Sequence, residues 1–315
     1  MSQNNRPLVL AADPAAIVRA AGLLRAGRLV AVPTETVYGL AARADEAAAV
    51  AAIYRAKGRP DFNPLIVHVP SLEAAEQLAT FDPRARALAA AFWPGPLTLV
   101  LPLRADAGIA PAVTAGLETI ALRCPAHPVM QALLREAAVP LAAPSANRSG
   151  AISPTTARHV ADSLGAKVDL VLDGGETARG IESTIAALRE NGWALLRPGP
   201  VTGEEIAGIL GACADAAASA GRIEAPGQLA SHYAPGKPVR LGATTAQPDE
   251  FLIGFGPVAG DASLSAGGDL AEAAARLYAV LHLAAAATQP RIAVAPVPDH
   301  GIGTAINDRL RRAAA

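Results

Sequence analysis

Residues 57–68 read Lys57-Gly58-Arg59-Pro60-Asp61-Phe62-Asn63-Pro64-Leu65-Ile66-Val67-His68 and gather two cations, an amide and an imidazole around two prolines. Lys57 and Arg59 flank a glycine. A chain leaving a helix there in an extended conformation would point both cations at one target, because residues two apart share a face. The prolines bias their neighbours toward extended or turn geometry and stiffen the loop. Leu65 to Val67 reads as a short buried strand. His68 falls at its end, where α/β folds place functional side chains. The chemistry this pattern supports is anion binding, with phosphate the best match to a lysine and an arginine side by side. A solvated basic loop with a packed histidine accounts for these residues equally well when they are taken alone.

Other stretches add hydroxyls, amides and further cations at strand ends. Pro33 to Leu40 places Thr34, Glu35, Thr36 and Tyr38 directly after a strand, which suits a site-forming loop, although a continued β-branched strand would look the same. Arg123 ends the strand Thr119–Arg123 just before Cys124-Pro125. It is either a ligand-reading cation or a surface charge. Ser145 and Asn147, again two apart, follow the apolar run Pro140–Ala143. Small polar residues let a ligand approach the backbone, and they also make ordinary turns. Arg197 closes a strand before Pro198-Gly199. No GxSxG, HExxH or cysteine–histidine grouping indicates a covalent nucleophile or a zinc site. Cations at loop ends with hydroxyls between them fit catalysis by positioning and charge stabilisation, as in phosphoryl or nucleotidyl transfer.

The elements that must hold these residues alternate. Asp13-Pro14 signals a helix start, and the helix should run to about Gly27. A strand follows at Leu29–Val32. Asp45 is expected to cap the helix that delivers Lys57. Ser71 and Asp82-Pro83 open two more helices, Pro128 another to about Ala137, and Thr155 or Thr156 the next. Strands are expected at Leu97–Leu103, Val168–Leu172, after Gly180 and at Trp193–Leu196, with a short helix Glu204–Leu210. From Ala214 to Pro238 the composition shifts to Ala, Gly, Ser and Pro, as in a linker. His232 and Tyr233, fenced by Pro226 and Pro235, are unusual for a mere spacer. Strands Val239–Leu241, Phe251–Phe255 and Ile292–Val297, with helices from about Asp269 and Gly303, make a small α/β unit. The chain therefore divides into 1–212, a linker 213–238, and 239–315.

Bulk composition narrows the class. With 315 residues, two domains are expected. The sequence is 51% hydrophobic and 17% charged, which is globular rather than disordered. Its 27 basic and 28 acidic residues leave a net charge of −1, so any anion site must be local and a whole-molecule nucleic-acid binder is disfavoured. Cys124 and Cys213 are far apart and form no framework, which fits a reducing compartment. The polar start and the proline-broken apolar run Ala87–Leu103 give neither a signal peptide nor a membrane helix. A cytoplasmic location is expected.

In order along the chain, PTETVYGL, KGRPDFNPLIVH, FWPGPLTLVLP, LRCP, PLAAPSANRSG, GIESTI and RPG resemble the YrdC-type threonylcarbamoyl-AMP synthase family over about residues 10–210. The paired KxR (Lys57, Arg59) and SxN (Ser145, Asn147) signatures are specific together and weak apart. The SHYAP motif and the C-terminal unit resemble the long, two-domain form of that family. The resemblance implies an α/β fold: a twisted, mostly parallel sheet with a large concave, positive cavity, joined by a linker to a small Rossmann-like domain. It implies a nucleotidyltransferase that condenses L-threonine, bicarbonate and ATP, the last with Mg²⁺, to threonylcarbamoyl-AMP and pyrophosphate. A tRNA-modifying transferase complex would take the product.

By the same resemblance, threonine would be held by Thr36, His68, Arg123 and Ser183, with Ala143 lining the pocket. ATP would be held by Lys57, Arg59, Asn63, Thr119, Ser145, Asn147, Ser153 and Arg197. Tyr233, with His232, would cover the nucleotide. Lys57 and Arg59 would stabilise the charge that develops as a threonine carbamate attacks the α-phosphate. The competing expectation is an RNA-binding module, or an amino acid or nucleotide sensor, without turnover. A carbamoyltransferase sharing the same domain is disfavoured, since such proteins carry extra domains, often with zinc-type cysteines, and this sequence has neither the length nor the cysteines expected of one.

Overall fold

In the computed structural model, residues 6–212, 224–227 and 232–315 are described. Cys213, most of the linker and Gln228–Ser231 of the expected lid segment lie outside them.

The first part of the chain alternates strand and helix. β1 (Leu8–Ala11), α1 (Pro14–Arg25), β2 (Val30–Pro33), β3 (Tyr38–Arg43), α2 (Ala47–Lys57) and β4 (Ile66–His68) come first. Then follow α3 (Leu72–Glu76), α4 (Pro83–Phe92), β5 (Leu97–Pro102), α5 (Pro111–Thr114), β6 (Thr119–Arg123), α6 (Pro128–Ala137) and β7 (Leu141–Ala142). The series ends with α7 (Ala157–Leu164), β8 (Leu170–Asp173), β9 (Thr184–Arg189), β10 (Gly192–Arg197) and α8 (Gly203–Leu210). The ten strands form one sheet in the order β1-β8-β2-β3-β7-β4-β6-β5-β9-β10. The sheet is mixed: β8 is parallel to β1 and β2, β4 to β6 and β5 to β9, and the remaining neighbours are antiparallel. Short links such as Thr34–Val37 between β2 and β3 permit only antiparallel pairing.

Alternation along each strand feeds two cores. Val30 and Val32 face the side covered by α1 and α6, with Leu24, Met130 and Leu133 packed on them. Ala31, Leu40 and Ala42 face the other side, against Val50 and Ile53 of α2 and Val160 of α7. The caps are the ones the sequence signals: the side chains of Asp13, Ser71, Asp82 and Thr156 each accept a backbone N–H in the first turn of their helix.

The second part contains β11 (Val239–Leu241), β12 (Glu250–Gly254), β13 (Ala262–Ser263), α9 (Leu270–Ala286), β14 (Arg291–Val294) and α10 (Ile302–Ala313). Its four strands are all parallel, in the order β11-β14-β12-β13. α9 and α10 cover one face with Leu277, Leu281, Ile306 and Leu310. That core does not stop at the small sheet. Val37, Ile152 and Ile181 of the first part pack into it together with Tyr233 and Tyr278, so the two units share apolar surface.

Two local expectations change. Asp45 does not cap α2: Glu46 stands at the cap without a side-chain bond, and Asp45 instead accepts Arg43 Nε at 2.8 Å. The exit from α2 is not extended. Gly58 adopts φ 60° and ψ 37°, the left-handed conformation that ends helices, so the chain reverses between Lys57 and Arg59. The two cations therefore do not share a strand face.

Candidate active site

A cavity opens where several strands of the large sheet end. β4 and β6 run parallel and finish side by side, with His68 and Arg123 as register partners. Both side chains line the cavity. The link between β2 and β3 is folded on Thr34, whose Oγ1 accepts the N–H groups of Thr36 and Val37 and donates to the Val37 carbonyl. That turn aims Thr36 inward. Ala143 and Ser145 continue from β7, and Ser183 precedes β9, all three on the cavity wall.

The floor is a buried ion pair. Arg123 Nη2 donates to Glu35 Oε1 at 2.6 Å, Nη1 to Thr36 Oγ1 at 2.9 Å and Nε to the Gly95 carbonyl at 3.2 Å. Glu35 Oε2 also accepts the Ala126 N–H. Burial alone would raise the Glu35 carboxyl, but the Arg123 charge and hydrogen bond outweigh it and hold the group below the usual carboxylate range. A guanidinium carries five N–H groups, and three are engaged here, so two remain for a ligand. His68 is buried beside it and its Nδ1 has no partner among the described residues. Burial, then the Arg123 charge, pushes its pKa down to about 3, so the imidazole is neutral at pH 7.

On the opposite wall, Arg197 grips Ser183 twice, with Nε on its carbonyl at 3.0 Å and Nη2 on its Oγ at 3.1 Å. Ser183 Oγ also shares a hydrogen bond with Thr98 at 2.8 Å. Arg59 lines the cavity while its Nε and Nη2 rest on the carbonyls of Asn63 and Pro64. Burial lowers its pKa to about 10. Lys57 stands behind this wall. Its Nζ donates to the carbonyls of Ser145 and Asn147, both at 2.5 Å. Burial first, then the nearby Arg59 charge, drives the Lys57 pKa well down. The KxR and SxN motifs thus meet, though through the SxN backbone rather than its side chains.

The structure does not bring every expected residue to the cavity surface. Asn147 turns its amide onto the carbonyls of Arg148 and Ala151. Ser153 Oγ bonds Glu182 at 2.5 Å. Thr119 lies at the start of β6, the end away from Arg123. Asn63 is buried with its Oδ1 unpartnered among the described residues.

The described parts of the linker form the roof. Pro226, Gly227, His232 and Tyr233 all line the cavity, and Arg197 Nη1 reaches the Pro226 carbonyl. Gly227, at φ 87°, lies so near Arg197 that a Cβ there would stand 2.9 Å from its Cδ. Tyr233, left-handed at φ 64°, is buried and packs edge-on to His232 and 5.4 Å from the Tyr278 ring.

Family comparisons agree with this geometry. The family described as Telomere recombination, comprising Sua5, YciO and YrdC, matches residues 22–199. The Threonylcarbamoyl-AMP synthase C-terminal domain matches residues 201–315. The chain belongs to the Sua5/YrdC family in its two-domain form. The Bacillus subtilis threonylcarbamoyl-AMP synthase is 41% identical, covering 95% of this chain and 92% of that protein. The Pyrococcus abyssi enzyme of the same name is also 41% identical, over 93% and 92%. The crystal structure of P. abyssi Sua5 complexed with L-threonine superposes with a TM-score of 0.88 at 38% identity, covering 98% of this chain and 97% of that one.

Sequence reasoning passed over Glu35, Glu182, Tyr278 and Arg309 as individual site residues. Glu35 and Glu182 sit inside motifs that stand out, so a buried carboxylate beside a cation could have been suspected. Arg309 lies in a run of charges that reads as a solvated helix face, yet it is fully buried. No helix among the described residues is long and apolar enough to cross a membrane.

Proposed function

We propose that this Sua5/YrdC family member is an L-threonylcarbamoyladenylate synthase, a nucleotidyltransferase acting on L-threonine, bicarbonate and ATP. The observation that carries the reading is one cavity with two chemically different ends. One end offers a guanidinium, a neutral imidazole and hydroxyls, which suits an amino acid carboxylate and side chain. The other offers Arg59 and Arg197 backed by Lys57, with no carboxylate among the described residues bonded to Lys57 or Arg59, which suits phosphates. The name and bound ligand of the P. abyssi relative support the first assignment.

The proposed reaction adds the free threonine amine to CO2 derived from bicarbonate; the proton lost by the nitrogen is the one taken up in dehydrating bicarbonate, so the net products are the carbamate and one water. A carbamate oxygen then attacks the α-phosphate, and the bond to the β-phosphate breaks to release pyrophosphate. Arg123 orients the threonine carboxylate while Thr36, His68, Ala143 and Ser183 bound its side. Neutral His68 accepts or donates a hydrogen bond without adding charge. Lys57 and Arg59 exchange their carbonyl partners for phosphate oxygens as negative charge grows in the transition state. Asn63, Thr119, Ser145, Asn147, Ser153, Arg197 and Tyr233 complete the nucleotide side. No three His, Cys, Asp or Glu side chains converge on a metal position among the described residues. Mg²⁺ enters this proposal as the companion of ATP, held mostly by phosphate and water. The product would pass to a tRNA-modifying transferase, in the cytoplasm.

The test is pyrophosphate release from ATP with Mg²⁺ and bicarbonate, with and without L-threonine. Release that requires threonine and bicarbonate and responds weakly to serine or valine is expected. ATP or threonine binding without release would move the assignment to a sensor.

A further inference from the structure

Glu182 is the one acidic side chain among the described residues that line the cavity, where a nucleotide polyphosphate would meet it. Three groups bind its carboxylate. Ser153 Oγ donates to Oε1 at 2.5 Å, Tyr278 OH to Oε2 at 2.8 Å and Arg309 Nε to Oε2 at 3.1 Å. Tyr278 lies on α9 and Arg309 on α10, so two of the three partners come from the small C-terminal unit. Arg309 has no exposed surface. Its Nη1 also donates to the Pro198 carbonyl at 2.8 Å, next to Arg197, and to Asp308 at 2.9 Å. Its guanidinium carbon lies 5.6 Å from the Tyr233 ring centroid, within cation–π range. One side chain thus touches the acid, the backbone after Arg197 and the roof.

We infer that Arg309 is a positioning residue for the nucleotide end of the site: it is the counter-ion that holds Glu182 away from Arg197 and Lys57 and keeps that end positive. The physical ground is competition for one carboxylate. Burial by itself would raise the Glu182 carboxyl. Arg309, Arg197 and the two hydroxyl bonds outweigh it and hold the pKa down to about 2, so the group is anionic whenever ATP is. Glu182 also lies within electrostatic reach of Arg197 and Lys57. Without Arg309, its charge falls on the cations proposed for phosphate, and at low local dielectric that repels the nucleotide while occupying its partners. The C-terminal unit then serves the site by cancelling a charge, in addition to covering it. This inference rests on the ATP reading above.

The experiment measures ATP affinity by calorimetry, and the KM for ATP and for threonine, in the full chain. R309M is expected to weaken ATP binding 10- to 100-fold while the threonine KM moves less than threefold. E182Q added to R309M is expected to restore most of the loss, because residue 182 no longer carries a charge and Asp308 keeps Arg312 as its partner. A purely structural role for Arg309 gives no such rescue, and equal ATP affinity in R309M and the E182Q/R309M pair would overturn the inference. If R309M does not fold alone, the pair still decides: it leaves no unpaired ion at the contact, and ATP affinity within threefold of wild type is expected. A tenfold or greater loss in the pair overturns the inference. R309K, which keeps the charge, should stay within about threefold of wild type; a loss as large as that of R309M would count against charge as the cause. A wild-type chain that binds ATP beside an R309M of equal affinity sinks this inference alone. A wild-type chain that binds no ATP sinks the functional reading with it.

Discussion

Two walls of the cavity bury the same kinds of charge under opposite rules. At the Arg123 wall, and again behind Glu182, each buried guanidinium faces a carboxylate at 2.6 to 3.1 Å. At the Lys57–Arg59 wall, the bonded partners are neutral backbone carbonyls. The first arrangement is electrically complete in the free protein. The second carries net positive charge in a place where water cannot fully solvate it. A buried charge left without a counter-ion is costly, and such groups persist where something else supplies the opposite charge. The difference supports the proposal that an anionic ligand belongs at the second wall, and it does so without any appeal to motif.

The sharpest way to break this comparison is to remove the uncompensated charges. K57A and R59A should each lower threonine-dependent pyrophosphate release by roughly 10²–10³ or more, the range seen when a preorganised charge-stabilising donor is lost. The expected circular dichroism is that of the wild type. Turnover near wild type in either variant would remove Lys57 and Arg59 from the chemistry.

The compensated wall predicts a different failure. E35A leaves Arg123 buried with its charge unopposed, and breaking a buried pair in this way costs about 3–5 kcal/mol of stability. Denaturant unfolding should show that loss, and threonine KM should rise while ATP affinity changes little. An E35A chain as stable as wild type would mean that the pair is not a structural unit.

How much of this contrast could be read beforehand depends on distance in sequence. Caps, strand ends and the order of elements are local, so Asp13, Asp82, Pro128 and the strand Thr119–Arg123 were legible from residue type alone. The turn at Thr34–Val37 was half legible: its polar residues signalled a loop, but β3 is held on its other side by partners about a hundred residues away, such as Ala142. The cations were visible and their partners were not. Carbonyls carry no residue signature, so nothing in Ser145 or Asn147 announces that their backbone holds Lys57. Arg309 was least legible, because its one acidic partner in the cavity wall is 127 residues upstream.

A smaller effect tests the neutral imidazole between the two walls. His68 titrates near 3 in the folded chain and near 6.5 when unfolded, because burial and then Arg123 disfavour its charged form. The unfolded state therefore binds more protons between those values, and stability must rise with pH through that interval and fall on acidification. At pH 5 this amounts to about 2 kcal/mol relative to pH 7. H68Q should reduce the pH 7 to pH 5 loss by about that much in urea titrations. An unchanged acid slope would mean that His68 becomes protonated in the folded protein without penalty, and its role beside Arg123 would have to be redrawn.

The smallest expected effect is the one that separates ligand binding from folding at the uncompensated wall. Replacing Lys57 by methionine removes a charge that burial disfavours, worth about 1.4 kcal/mol for each unit of its depressed pKa. It also strands the carbonyls of Ser145 and Asn147, at about 1–3 kcal/mol for each group left unsatisfied. These terms oppose, so K57M should lose less stability at pH 7 than the two stranded carbonyls alone would cost, while losing activity as K57A does. The pH dependence gives the sign. The folded pKa of Lys57 lies below its unfolded value, so the unfolded state holds more protons in the interval between them, and wild type gains stability relative to K57M as pH rises through it. Parallel unfolding titrations of the two proteins at neutral and alkaline pH check this. If wild type instead lost ground to K57M on the alkaline side, Lys57 would have to be held by a carboxylate in solution, and the two walls would obey one rule after all.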